Sequence, residues 1–208
     1  MKKIILIITM FIFLTNVNAY ENEKFKLDIP DTYKLNNETP NIYVWQDKKS
    51  ENNITITLQE NTEENTINIE EYTEKDLINY KDYLTTSLNK ELEEYEVTVE
   101  VTNVKKEQIN NYTAIEYDSM WPTKESIGYN FYQKGYIFTT KNYVVSLTFG
   151  SSKEITDETE FYKNAINSLT INDNKIEKEK NNTYIYIVVA VGVISGIIGY
   201  IISAIKKK

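Results

Sequence analysis

Ser87-Leu88-Asn89-Lys90 has the Ser-x-x-Lys spacing in which a lysine activates a serine nucleophile. The Lys-Thr-Gly and Ser-Asp-Asn elements that accompany that chemistry are missing. Ser87 and Lys90 also fall between the apolar positions of a helical pattern, which reads as a solvated helix face. Paired acids occur at Glu63-Glu64 and Glu93-Glu94. Acid–base catalysis needs two carboxyls held apart in a cleft with shifted pKa values, and adjacency in sequence does not supply that. The acidic stretch from Glu60 to Asp76 lacks the alternating ligands and central glycine of an EF-hand loop, so it reads as solvated loop. The chain has no histidine and no cysteine. Ser-His-Asp and Cys-His catalysis, thiolate or imidazole metal sites and disulfides are thereby excluded. No glycine-rich phosphate loop or nucleophile elbow is present. The expected chemistry is non-enzymatic, with no cofactor and no metal.

Aromatic residues offer the alternative, recognition. Tyr117, Trp121, Tyr129, Phe131, Tyr132, Tyr136 and Phe138 crowd one segment. Met120-Trp121-Pro122 lies between two strand patterns, where a tryptophan need not be buried. Alternation sets Tyr129 and Phe131 on one sheet face and Tyr132 on the other. Aromatic side chains dominate interface energies, so Trp121, Tyr129, Phe131 and Tyr132 form a candidate partner surface. Core packing under a helix is the competing reading.

These residues must be positioned by a domain held between two apolar runs. Lys2 and Lys3 precede an 11-residue apolar core, Ile4 to Leu14, and Val17-Asn18-Ala19 places small residues around a cleavage point. That is the pattern of a secretory leader over residues 1–19, too short to span a bilayer. At the other end, Thr183 to Ile205 runs 23 residues without a charge before Lys206, Lys207 and Lys208. As a helix it extends about 35 Å, enough for a hydrocarbon core of ~30 Å. Tyr184 and Tyr186 suit a headgroup boundary, and the lysines suit the cytoplasmic side. No LPxTG-like sorting motif precedes the run, so the span is read as retained. The expected organisation is a leader (1–19), an extracytoplasmic domain (20–171), a polar stem (172–182), a transmembrane helix (183–205) and a cytoplasmic tail (206–208). The protein is then a single-pass cell-membrane protein with its N-terminal domain outside. Within the span, Gly192, Gly196, Gly199 and Ser203 fall on one helix face at spacings that permit close helix approach. They are the candidate contact for a homo-oligomer or a partner helix.

Charge narrows the partners. Five of the 23 basic residues, all lysines, lie in the leader and the tail, which leaves 18 against 31 acids and a formal −13. Such a domain is repelled by nucleic acid and by anionic lipid headgroups. An envelope protein or a small ligand remains as partner. The lysine-only, Asn- and Ile-rich composition fits an AT-rich bacterial genome.

Along the domain, Phe25-Leu27-Ile29, Ile42–Trp45 and Ile54-Ile56-Leu58 read as strands. Thr73 and Asp76 make a capping box for a helix of about five turns, with Leu77, Tyr80, Leu84, Leu88 and Leu92 on its apolar face. Val97-Val99-Val101 and Ala114–Tyr117 read as strands around an Asn110-Asn111 turn. Gln133-Lys134-Gly135 is expected to be a hairpin turn between strands 127–132 and 136–140. Tyr143–Phe149 is the most apolar strand, expected at the sheet centre, and a last helix is expected from Thr156 to Leu169.

The opening FKLDIP, the strands YVWQ and ITITL, one long helix, then a hairpin series closed by FYKNAINSLTI resemble the PsbP/Mog1-like superfamily, which includes envelope proteins of the DcrB type. The resemblance spans residues 24–172. It implies an α+β fold in which helices flank both faces of an antiparallel sheet, an α/β/α sandwich. It also implies an accessory or binding role, and it carries no catalytic motif. Together with the terminal runs it suggests a membrane-anchored, extracytoplasmic binding or accessory module. The alternatives are a subunit of a larger membrane complex recruited through its helix, and a surface hydrolase using carboxylates or Ser87/Lys90.

Overall fold

The computed structural model describes residues 17–61, 68–93, 97–157 and 159–174. The transmembrane expectation, with Gly192, Gly196, Gly199 and Ser203, and all but the last three leader residues lie outside the described residues. Among the described residues no helix is long and apolar enough to cross a membrane.

Among the described residues, ten strands and three α-helices follow in the order β1 (Val17–Glu21), β2 (Phe25–Pro30), β3 (Tyr33–Thr39), β4 (Ile42–Asp47), β5 (Asn53–Glu60), α1 (Glu74–Leu92), β6 (Glu100–Ile109), β7 (Tyr112–Trp121), α2 (Lys124–Ile127), β8 (Phe131–Thr139), β9 (Tyr143–Ser151), α3 (Glu160–Ser168) and β10 (Thr170–Ile171). Every strand pair is antiparallel. Seven strands form one sheet in the order β3-β4-β5-β9-β8-β7-β6, and β1-β2-β10 form a second. The class is α+β with antiparallel sheets, and β9 is the middle strand of the large sheet, as its apolar sequence predicts.

Alternation sorts the core. Ile115, Tyr117, Trp121, Phe131, Ile137 and Val144 join Tyr80, Leu84, Leu88 and Leu92 of α1 in one cluster. Their neighbours Ala114, Tyr136, Phe138, Val145, Leu147 and Phe149 join Tyr162, Ala165 and Ile166 of α3 in the other. The second cluster also takes Phe25, Leu27 and Ile29 of β2, so the small sheet and α3 share that side. Burying each of Leu84, Leu88 and Leu92 contributes roughly 1.5–3 kcal/mol of transfer free energy. The capping box forms as expected: Thr73 Oγ1 accepts from Asp76 N–H, and the Asp76 carboxylate accepts from Thr73 N–H.

The structure corrects four expectations. Residues 131–139 are one continuous strand, so Gln133-Lys134-Gly135 is no turn. Gly135 sits in the strand because Tyr117, its cross-strand partner, lays its ring where a Cβ would be, 2.1 Å from that ring. Ile127 belongs to the short helix α2, closed by Gly128 at φ +97°. Val97 and Val99 are buried ahead of β6, which starts only at Glu100. The last helix starts at Glu160, later than Thr156. Val17-Asn18-Ala19, the residues around the expected cleavage point, pair with Pro30, Ile29 and Asp28 of β2.

Candidate functional site: a buried ion cluster beneath a cleft

On the α3 side of the large sheet, β7 and β8 place Glu116, Asp118 and Lys134 within reach of one another. Glu116 pairs with Tyr136 and Asp118 with Lys134 across the two strands. Lys134 Nζ donates to Glu116 Oε1 at 2.8 Å and lies 3.0 Å from Asp118 Oδ1. Lys105 of β6 comes to 3.6 Å from Glu116 Oε1 and 3.2 Å from Glu107 Oε2. It reaches this face through a bulge. Thr102 pairs with Asp118 but Lys105 with Glu116, so one extra residue is accommodated between them. Asn103, at φ +51°, takes the left-handed conformation there, and its Nδ2 donates to Asp118 Oδ2 at 2.8 Å. A bulge of this kind re-aims the side chains that follow it.

Two tyrosines extend the network inward. Tyr136 Oη donates to Glu116 Oε2 at 3.0 Å and shares a short hydrogen bond with Tyr162 of α3. The Lys134 ammonium lies 5.8 Å from the centre of the Tyr162 ring, within cation–π range. Above the cluster is a cleft of about 420 Å³ lined by Asn103, Lys105, Glu116, Asp118, Lys134 and Asp157 among others.

The electrostatics lock these groups in their charged forms. Burial pushes the Glu116 carboxyl up, but the hydrogen bond and charge of Lys134, with help from Tyr136 and Lys105, hold it below the usual range. Burial pushes the Lys134 ammonium down, but its bonds to Glu116 and Asp118 outweigh this and raise it. Burial, and then Tyr162 and Glu116, keep the Tyr136 hydroxyl protonated far above the ordinary phenol value. The cluster therefore presents fixed, mutually paired charges.

The residues expected from sequence fall elsewhere. Trp121 and Phe131 are fully buried in the α1-side cluster, their ring centres 6.5 Å apart edge to face. Trp121 Nε1 donates to Ser119 Oγ at 3.1 Å. Both are core residues: the strand parity that sends Glu116 and Lys134 to one face sends these two rings under the other. Tyr132 lies on the opposite face of β8 from Phe131 and is half-buried. Tyr129 is half-buried ahead of β8, its hydroxyl pushed up to about 12 by burial and by Glu51. The four do not assemble into one surface. On α1, Ser87 is half-buried and Lys90 exposed, whereas the lysine of such a pair is activated by desolvation. Asp76, in the acidic stretch, is engaged in the helix cap.

The ion cluster was hidden from the sequence by the misread turn, which removed Lys134 from a strand. One signal was present: Glu116 and Asp118 alternate with Ile115 and Tyr117 inside a strand.

No protein-family model and no curated protein matches this sequence. Solved structures do. A crystal structure from Bacteroides thetaiotaomicron aligns over 71% of this chain at 12% identity and TM-score 0.45, and this chain spans only 45% of that one. A Pseudomonas aeruginosa protein of unknown function aligns over 65% of this chain and 83% of its own, at 13% identity and TM-score 0.33. The solution structure of cyanobacterial PsbP (CyanoP) from Synechocystis aligns over 77% of this chain and 95% of its own, at 9% identity and TM-score 0.51. The element order, the antiparallel sheet and this last alignment agree that the domain has the PsbP/Mog1-like fold.

Proposed function

We propose that this chain is a non-enzymatic, membrane-anchored binding or accessory module of a bacterial envelope. In this reading Thr183–Ile205 spans the membrane, Lys206–Lys208 stay in the cytoplasm, and the domain works outside as an α/β/α sandwich. The stripe of Gly192, Gly196, Gly199 and Ser203 then faces a second helix, its own copy or a partner's. One observation carries the choice of binding over catalysis. General acids and bases work best with pKa values near the operating pH. Glu116 is shifted down and Lys134 up, both away from neutrality, by their own pairing. Charges held away from neutrality by their own pairing are poorly matched to acid–base work, which supports the binding reading.

The cleft lining carries both signs, Lys105 and Lys134 together with Glu116, Asp118 and Asp157. A ligand or protein surface bearing separated positive and negative groups fits such a site. The test is crosslinking of the full-length protein in its native membrane, in wild type and in a Lys105→Glu, Asp157→Lys variant. A partner recovered with the wild type and lost on charge reversal supports the reading. A partner recovered equally from both removes the cleft from it, and turnover of a substrate abolished by Lys134→Met contradicts it outright.

A further inference from the structure

Among the described residues, the strand register sorts the turns that join neighbouring strands of the large sheet to two ends of the domain. At one end lie Pro40-Asn41, Asn110-Asn111 and Lys141-Asn142, joining β3 to β4, β6 to β7 and β8 to β9. Leu58 N–H donates to Asn41 O at 2.8 Å, and Asn61 N–H to Asn142 O at 2.8 Å, which place these turns beside the end of β5. At the other end lie turns 31–32 and 48–52, joined by Lys48 N–H to Thr32 O at 3.0 Å, together with 122–130 and the end of β9.

The chain leaves the domain at the first end and is fastened there. Asn172 N–H donates to Lys24 O at 2.7 Å, and Lys141 N–H to Asn174 O at 2.8 Å. The Asp173 carboxylate accepts from both the backbone N–H and the side-chain amide of Asn142, each at 2.7 Å. The chain enters at the opposite end, where Val17 pairs with Pro30, whereas Ile171 pairs with Phe25 at the start of the same strand. Five residue steps of β2 separate the two, roughly 17 Å.

We propose that the domain stands on the end built by turns 40–41, 110–111 and 140–142 and presents it to the phospholipid headgroups. This rests on the reading of Thr183–Ile205 as a retained membrane helix. Residues 172–174 are tied to the domain, so only 175–182 separate it from the span, a reach of about 28 Å at full extension. The tether, and not charge, holds this end at the headgroups: the three turns carry Lys141 and no carboxylate, but the Asp173 carboxylate sits on Asn142 and Glu23 lies next to Lys24, which bonds Asn41. Asn41 and Asn110 hold left-handed turns, at φ +70° and +53°, which asparagine adopts more readily than other side-chain-bearing residues. The ion cluster lies five residue steps up β8 from this end, roughly 17 Å further from the lipid, and stays accessible from the side.

The chain has no native cysteine, so single dye labels are clean. Lys141→Cys and Asn111→Cys mark the near end, Lys49→Cys and Lys153→Cys the far end, and all four positions are exposed. The full-length variants are reconstituted in phosphatidylcholine vesicles carrying a headgroup acceptor dye, floated on a density gradient, and energy transfer is read. The two ends are roughly 23 Å apart along β5, so transfer from 141 and 111 should exceed that from 49 and 153 by at least about twofold. Vesicle-bound protein with equal transfer from both ends, or more from 49 and 153, overturns the orientation alone. Protein that fails to float overturns the anchoring reading and the orientation with it.

Discussion

Lys134 Nζ and Glu116 Oε1 lie 2.8 Å apart in side chains only 6% and 7% open to solvent. Two opposite charges removed from water stabilise each other only when the pair is complete. Breaking it strands a buried charge. Lys134→Met should therefore destabilise the domain by about 2–4 kcal/mol, below the top of the usual range because the cleft wets one side. The Lys134→Met, Glu116→Gln double variant should lose less than the two single variants summed, by more than about 1 kcal/mol. Trp45 and Trp121 both lie in the domain, so denaturant unfolding followed by their fluorescence measures all three in the full chain. Additive losses would refute the coupling.

The same pairing sets a pH dependence. Glu116 is depressed from its ordinary 4.5, so its contribution is present above that value and is lost as pH falls through its lower folded value. Lys134 is raised from its ordinary 10.5, so its contribution is present below that value and is lost as pH rises through its higher folded value. The unfolding midpoint should be flat between these limits and fall on both sides. In Glu116→Gln the acid limb should be shallower. An unchanged acid limb would show that the carboxylates elsewhere govern it.

Gly135→Ala tests the close approach of Tyr117. A Cβ there would meet the ring at 2.1–2.4 Å, and Tyr117 is fully buried with its hydroxyl accepting from Gln133 Nε2. Overpacking of this kind costs about 1–3 kcal/mol or more. Combining it with Tyr117→Phe should not relieve the loss, because the clash is with ring carbons as well as the hydroxyl. A variant as stable as wild type by thermal unfolding would contradict the packing.

Trp121→Ala separates core from surface. With its ring wholly buried beside Phe131, truncation should cost about 3–5 kcal/mol. Acrylamide should quench Trp121 poorly in the native state. A folded, equally stable variant that loses only a binding partner would return Trp121 to the surface.

The elements set by local signals were legible in the sequence. The capping box at Thr73 and the leucine spacing that follows it give α1, and the Asn110-Asn111 turn gives one hairpin. Period-two alternation gives β2, β4 and β5. What long-range pairing decides was not legible. β1, β3 and β10 are strands because β2 and β4 offer them edges, and β3, YKLNNET, has little strand character of its own. Gly135 reads locally as a turn, yet it belongs to a strand because Tyr117, 18 positions earlier, fills its missing side chain. The candidate site was missed for the same reason. Glu116, Lys134 and Lys105 meet only when three strands align and a bulge at Asn103 reverses the parity of β6.

The central claim is that the cleft holds locked charges and not a proton-transfer pair. Carbon-13 NMR titration of the glutamate side chains, with Glu116→Gln to assign the signal, tests it directly. Glu116 should stay ionised from neutral pH down to below 4.5, its ordinary value. A Glu116 carboxyl that takes up its proton near neutrality would contradict the account and make the cleft a candidate catalytic centre.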